Sequence, residues 1–199
     1  MESIVSRTLS IGQEHELLQK LEAAGLNEQD AQKVIDSRKN ELAKGLVALI
    51  REYDQVVEGS YPLTVNYDQS LEQMIAAGRY DWKNDDIKPK HFPVKGEGKV
   101  NVEITFVHHN RVMSTDDVLK DLDTRGLRPI KIEELLALGA AKPELQQEFP
   151  IIALGSVWQS GDVNRYCPGL DGLGSTRYIY LDWINYNWSS PCRFGAVRK

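Results

Sequence analysis

Residues Tyr178–Lys199 read YIYLDWINYNWSSPCRFGAVRK. Over YIYLDW the two-residue period of a strand turns Ile179, Leu181 and Trp183 toward a core and Tyr178, Tyr180 and Asp182 the other way. RFGAVRK reads as a second, closing strand. Between them lies INYNWSSPC, polar and aromatic, and the whole stretch lacks Glu, Gln and Met. The depletion extends upstream. Lys, Glu, Gln and Met make up 40 of the first 160 residues, yet none occurs from Gly161 to Arg198. At the upstream frequency about nine would be expected there. Strands and loops use fewer helix formers, which accounts for part of the deficit. Tyr, Ser, Gly and Asn take their place. Tyr offers rigid amphipathic contact area and the other three offer adaptable hydrogen bonding, the composition of antibody-type recognition loops. Such a face suits binding more than catalysis.

Working outward, residues 159–175 read as loop, with the glycines chiefly in GLDGLG. FPIIALGSVW, at 149–158, is a continuous apolar run too short for most helices and reads as a buried central strand. Before it, IEELLALGAAKPELQQE gives a helix and a further turn begun by Pro143. Another helix is opened by Ser114 or Thr115, with Asp116 and Asp117 in the first turn where the helix dipole favours negative charge, and is closed by Gly126. VNVEITFVHH alternates cleanly, with Val100, Val102, Ile104 and Phe106 on one face. Residues 54–99 suggest a short strand, a short helix and a loop rich in Lys, Gly and Pro. From Ile11 to Tyr53 the period is helical: one face runs through Leu17, Leu18, Leu21 and Ala24, Gly25 and Asn27 punctuate it, and a second face runs from Ala31 through Val34, Ile35, Leu42, Leu46, Leu49 and Ile50.

The chain has 199 residues and a net charge of −5. That balance argues against general binding to nucleic acid or to anionic membranes, which relies on excess Lys and Arg. No apolar run approaches the roughly 20 residues needed to span a bilayer, and MESIVSRTLSIGQEHEL has neither the basic nor the apolar region of an export signal. The default expectation is cytoplasmic, with display on a cell surface or virion left open. Cys167 and Cys192 are expected to be thiols.

The order of strand, helix, GLRPIKIEELLALGA, FPIIALGSVW, LDW, W and RFGAVR resembles the C-type lectin fold, over roughly residues 95–199. It is most similar to the formylglycine-generating-enzyme branch, and the ending resembles the variable proteins of diversity-generating retroelements, whose chains close on LDW, W, RF and AVRK. In that family an error-prone reverse transcriptase replaces adenines, mostly in asparagine codons. Such codons reach Asn, Tyr, Ser, Asp, Gly, Cys, Ile and others but never Lys, Glu, Gln, Met or Trp. The resemblance therefore implies that Trp183 and Trp188 belong to a fixed scaffold. It implies variable, ligand-contacting positions at Tyr178, Tyr180, Asp182, Ile184, Asn185, Tyr186, Asn187, Ser189, Ser190 and Cys192, with Asn164, Tyr166 and Asp171 as further candidates. Phe194, Val197 and the FPIIALGSVW strand would complete the support beneath them.

The expected fold class is α+β: a helical hairpin over 1–54, a connecting segment over 55–94, and a C-type-lectin-like domain over 95–199 that holds the variable region, 161–198. The expected function is non-enzymatic binding of a protein or other macromolecule, with no cofactor. Two alternatives stand beside it. One is a cysteine- or copper-dependent oxidase of the formylglycine-generating kind, for which Arg193 beside Cys192 is the one hint of thiolate chemistry. The other is a structural module of a phage or conflict system that binds through its helices. Calcium-dependent sugar binding is disfavoured, because the triplets Glu-Pro-Asn and Gln-Pro-Asp are absent from the late loop. His108 and His109, adjacent on a strand, point to opposite faces and chelate poorly.

Overall fold

The structure is a computed structural model that describes residues 11–46, 57–161 and 163–199. The chain divides into two compact units, Met1–Glu52 and Tyr53–Lys199. In the first, α1 (Ile11–Ala23) and α2 (Glu28–Asp36) are separated at Gly25, and Asn27 caps α2 by accepting from the Asp30 N–H at 2.9 Å, as its side chain suggests. The continuous second helix expected from the periodicity is broken. Ser37 turns its hydroxyl back onto Val34 O at 2.8 Å, offering the backbone an alternative to the helical ladder. A single 3-10 turn follows at Arg38–Asn40, in which Lys39 and Asn40 adopt left-handed φ angles of 55° and 58°, before α3 resumes over 41–46. Ile35, Leu42 and Leu46 are exposed rather than covered. Leu49, Ile50 and Tyr53 lie outside the described residues.

The second unit is a mixed α/β body. Among its described residues nine strands form one sheet: β1 (Val57–Asn66), β2 (Trp82–Lys83), β3 (Lys99–His108), β4 (Leu127–Pro129), β5 (Ile151–Ile152), β6 (Trp158–Ser160), β7 (Asn164–Leu173), β8 (Thr176–Trp183) and β9 (Arg193–Arg198). The central order is β1-β3-β9-β5-β7-β8-β2, with β4 added to β9 and β6 to β7. Pairing is antiparallel except for β2 with β8 and β5 with β9. Segment 55–94 is no mere connection. It supplies β1, which pairs with β3 from Val65↔Val100 to Val57↔Val107, then α4 (Leu71–Gly78), capped by Ser70 and Gln73 in a reciprocal capping box, and then edge strand β2.

The sheet is covered on both faces, and the strand period shows how. Phe106 and Val107, or Ile151 and Ile152, are adjacent in sequence but belong to different hydrophobic clusters. One cluster is filled by Leu71 and Met74 of α4, by Ile132, Leu135, Leu136 and Leu138 of α6 (Ile132–Ala141), and by Leu145 of α7 (Leu145–Glu148). The other receives Val118 and Leu122 from α5 (Thr115–Thr124), whose N-cap is Ser114. Each such side chain, fully buried, contributes about 1.5–3 kcal/mol of transfer free energy. The FPIIALGSVW run is buried as expected over 151–154, but only Ile151–Ile152 are strand; Trp158 opens a separate strand beyond a turn. The expected loop at 159–175 is chiefly strand β7. Its glycines are there for close packing: a Cβ on Gly169 would meet the Tyr180 ring at 2.8 Å, and one on Gly172 would meet Gln146 O at 3.0 Å. Among the described residues no helix is long and apolar enough to cross a membrane.

Candidate ligand-binding surface

Loop 184–192 joins β8 to β9, and its buried residues recur at every fourth position: Ile184 (6% exposed), Trp188 (3%) and Cys192 (7%). Asn185, Tyr186, Asn187, Ser189 and Pro191 between them are exposed, and Ser190 is half-buried. The buried members fix the backbone. Trp188 and Met113 exchange backbone hydrogen bonds of 3.1 and 2.7 Å. The Trp188 indole N–H donates to Thr115 Oγ1 at 2.8 Å, and the Thr115 hydroxyl in turn donates a hydrogen bond to Ile184 O at 2.7 Å. Ile184 N–H donates to Arg165 O at 3.0 Å, and His108 Nε2 donates to Ser190 O at 2.8 Å. The loop is thus tied to β3, to the start of α5 and to β7. Of the exposed side chains, Asn185 donates to Val163 O at 3.3 Å and Tyr186 leans edge-on against Trp183, with ring centroids 4.8 Å apart. Tyr186 is 63% exposed.

The remaining sequence-derived candidates fall on two faces of the β7–β8 hairpin. Asp171 is paired with Tyr178, Cys167 with Asp182, and Gly169 with Tyr180, so Tyr178, Tyr180, Asp182 and Asp171 share the face that carries the α5 cluster. Asn164 and Tyr166 have the opposite parity and lie with Trp183. There a row of rings forms: Trp158 and Tyr166 at 5.6 Å, then Tyr166 and Trp183 at 5.9 Å with nearly parallel planes, and His91 stacked on the far side of the row against Trp158 at 4.1 Å. Trp82, half exposed on the edge strand, is paired with Tyr178. His91, Trp82 and Trp158 were not singled out from the sequence. His91 and Trp82 come from segments remote from the depleted region, whereas Trp158 lies just before it, at the end of the FPIIALGSVW run; the aromatic RYDW was the available signal for Trp82.

Two expectations are corrected. Ile184 and Cys192 are not surface positions; they are core residues of the α5 cluster and hold the loop down. Tyr180 is also largely covered, because its ring lies across Gly169. Burial drives its phenol well above the usual range, and the carboxylates of Asp182 and Asp171 push in the same direction. Burial likewise raises the Cys167 thiol, helped by Asp182, and raises the Cys192 thiol, opposed by a hydrogen bond from Ser189, whose Oγ is 3.6 Å from Cys192 Sγ. Both cysteines are free and buried. The two thiols and the Tyr180 phenol are therefore held protonated and uncharged at neutral pH, beside the carboxylates of Asp182 and Asp171. Among the described residues no cluster of three or more His, Cys, Asp or Glu side chains is arranged to hold a metal ion. His109, unlike His108, is buried beside Asp121, its Nε2 3.6 Å from the carboxylate. The chain matches no protein-family model, no curated protein and no solved structure.

Proposed function

We propose that the chain is a non-enzymatic binding protein of C-type-lectin-like fold, of the kind made by diversity-generating retroelements, and that loop 184–192 with the adjoining β7–β8 hairpin is its variable recognition surface. One observation carries the reading. Within the segment that lacks Lys, Glu, Gln and Met, Ile184, Trp188 and Cys192 bind the loop to the body while the side chains between them face outward. A backbone held this way tolerates change in Asn185, Tyr186, Asn187 and Ser189, because none of the bonds that fix it to β3 and α5 uses those side chains. Tyr186, packed edge-on against Trp183, supplies aromatic area of the kind that dominates macromolecular interfaces, and the Asn and Ser residues supply the polar rim. The partner is a protein or another macromolecule. Thiol burial supports binding over thiolate oxidase chemistry, since the nucleophile would have to be ionised where ionisation is costly.

Sequencing this locus in sister isolates tests the proposal. Substitutions are expected to cluster at 178, 185–187 and 189–190, to spare 184, 188 and 192, and to match adenines in a nearby template repeat. Variation spread evenly along the chain, or concentrated at the three buried positions, overturns it.

A further inference from the structure

The first unit leaves its apolar residues uncovered. Among its described side chains, residues 15–46, none is buried, and Leu17, Leu18, Ile35, Leu42 and Leu46 are each at least 40% exposed. Most of them are grouped rather than scattered: Leu17 and Leu18 share a face of α1 with Leu21, and Leu42 and Leu46 lie one turn apart on α3. Helices of 13 and 9 residues are marginal on their own in water and take most of their stability from a covered apolar face. Within one copy the two leucine groups do not supply that cover for each other, since both stay exposed. The charges divide along the same line. α1 carries Glu14, Glu16 and Glu22 against Lys20, a net −2, whereas residues 38–44 carry Arg38, Lys39 and Lys44 against Glu41, a net +2. Among the described residues of the unit the ion pairs are local, Lys20 with Glu16 and Lys33 with Asp30, each at 2.8 Å, and none joins α1 to 38–44.

We infer that the first unit is a self-association element whose occupant is a second copy of this chain: α1 of one copy packs against residues 38–46 of the other, leucine on leucine and acid beside base. Each copy carries both halves of the contact, the acidic leucine face and the basic one. A two-fold axis therefore makes the contact twice and closes the pair, with no unsatisfied face left to recruit a third copy. The apolar faces supply the burial, and the opposite charges fix which helix meets which.

The full chain is examined by sedimentation equilibrium between about 1 and about 100 μM, where a monomer–dimer equilibrium is expected. Leu18→Asp combined with Leu42→Asp is expected to weaken dimerisation by at least about tenfold. Two charge variants test the pairing. Glu16→Lys with Glu22→Lys turns α1 to net +2, and Arg38→Glu with Lys44→Glu turns 38–44 to net −2; all four positions are exposed. Each variant alone sets like charges together at both contacts and is expected to dimerise at least about tenfold more weakly. Mixed in equal amounts, the two restore opposite charges at both contacts, and a heterodimer of near wild-type affinity is expected. All four tryptophans lie in the second unit, so their fluorescence checks that each variant remains folded there. A wild-type chain that stays monomeric throughout the range, growth beyond the dimer, undiminished dimerisation of the leucine variant, or no recovery in the mixture overturns the inference.

Discussion

Thr115 shows how much one hydroxyl can organise. Sequence alone made it a possible helix cap, yet Ser114 takes that role and leaves Thr115 buried, accepting from the Trp188 indole and donating to Ile184 O. It therefore joins two of the three residues that hold down loop 184–192. Thr115→Val keeps the shape and removes both bonds, leaving a buried N–H and a buried carbonyl unserved, a loss of about 1–3 kcal/mol. Urea denaturation followed by tryptophan fluorescence should show the lower midpoint. Asn187→Ala, on the exposed side of the same loop, should move stability by no more than about 0.5 kcal/mol. Equal effects of the two would mean that the loop is not held from beneath.

Among the elements, those with a clear period were legible. β3 alternates through Val102, Ile104 and Phe106, and β8 through Ile179, Leu181 and Trp183, and both strands form as read. α5 was legible from Ser114 and its acidic first turn, α6 from the run IEELLALGAA, and α7 as the further turn read from Pro143. β7 was not, since PGLDGL has turn composition and its strand character comes from contacts the sequence does not display: Tyr180 needs the space above Gly169, and the α7 backbone needs the space beside Gly172. The site was half legible for a similar reason. Composition marked the segment, but a run such as INYNWSSPC has no period of two, so the inward turn of Ile184 and Cys192 depends on Met113, Thr115 and Arg165, far away in the chain. Gly169→Ala tests the packing. The new methyl would press on a ring enclosed in the core, and overpacking of this kind costs about 1–3 kcal/mol. In a Tyr180→Ala background, where the ring is gone, the same substitution should cost much less, and a double-mutant cycle by chemical denaturation measures the difference.

In the second unit, the Tyr80 and Tyr180 phenols and the Cys167 thiol are shifted in one direction, opposite to the buried His109, whose pKa burial lowers. Burial raises the pKa of Tyr80, packed beneath the Arg177 guanidinium, and of Tyr180 and Cys167, so all three stay protonated in the fold at a pH where the unfolded chain releases their protons. The folded state then binds more protons than the unfolded state, and linkage makes stability fall as pH rises. The stabilising contribution is complete below the unfolded values, about 8.5 for a thiol and about 10 for a phenol, and is lost as pH climbs from there toward the raised folded values. Urea midpoints should decline progressively above pH ~8.5 and steepen above pH ~10. Cys167→Ala makes the lower part of the decline shallower, with the raised Cys192 thiol still contributing, and Tyr180→Phe makes the upper part shallower, with Tyr80 still contributing, although each also changes packing and so shifts the whole curve. The diagnostic quantity is therefore the slope against pH, not the midpoint. A slope identical to wild type in both variants would place these side chains in contact with solvent and contradict the two-faced core on which loop 184–192 rests.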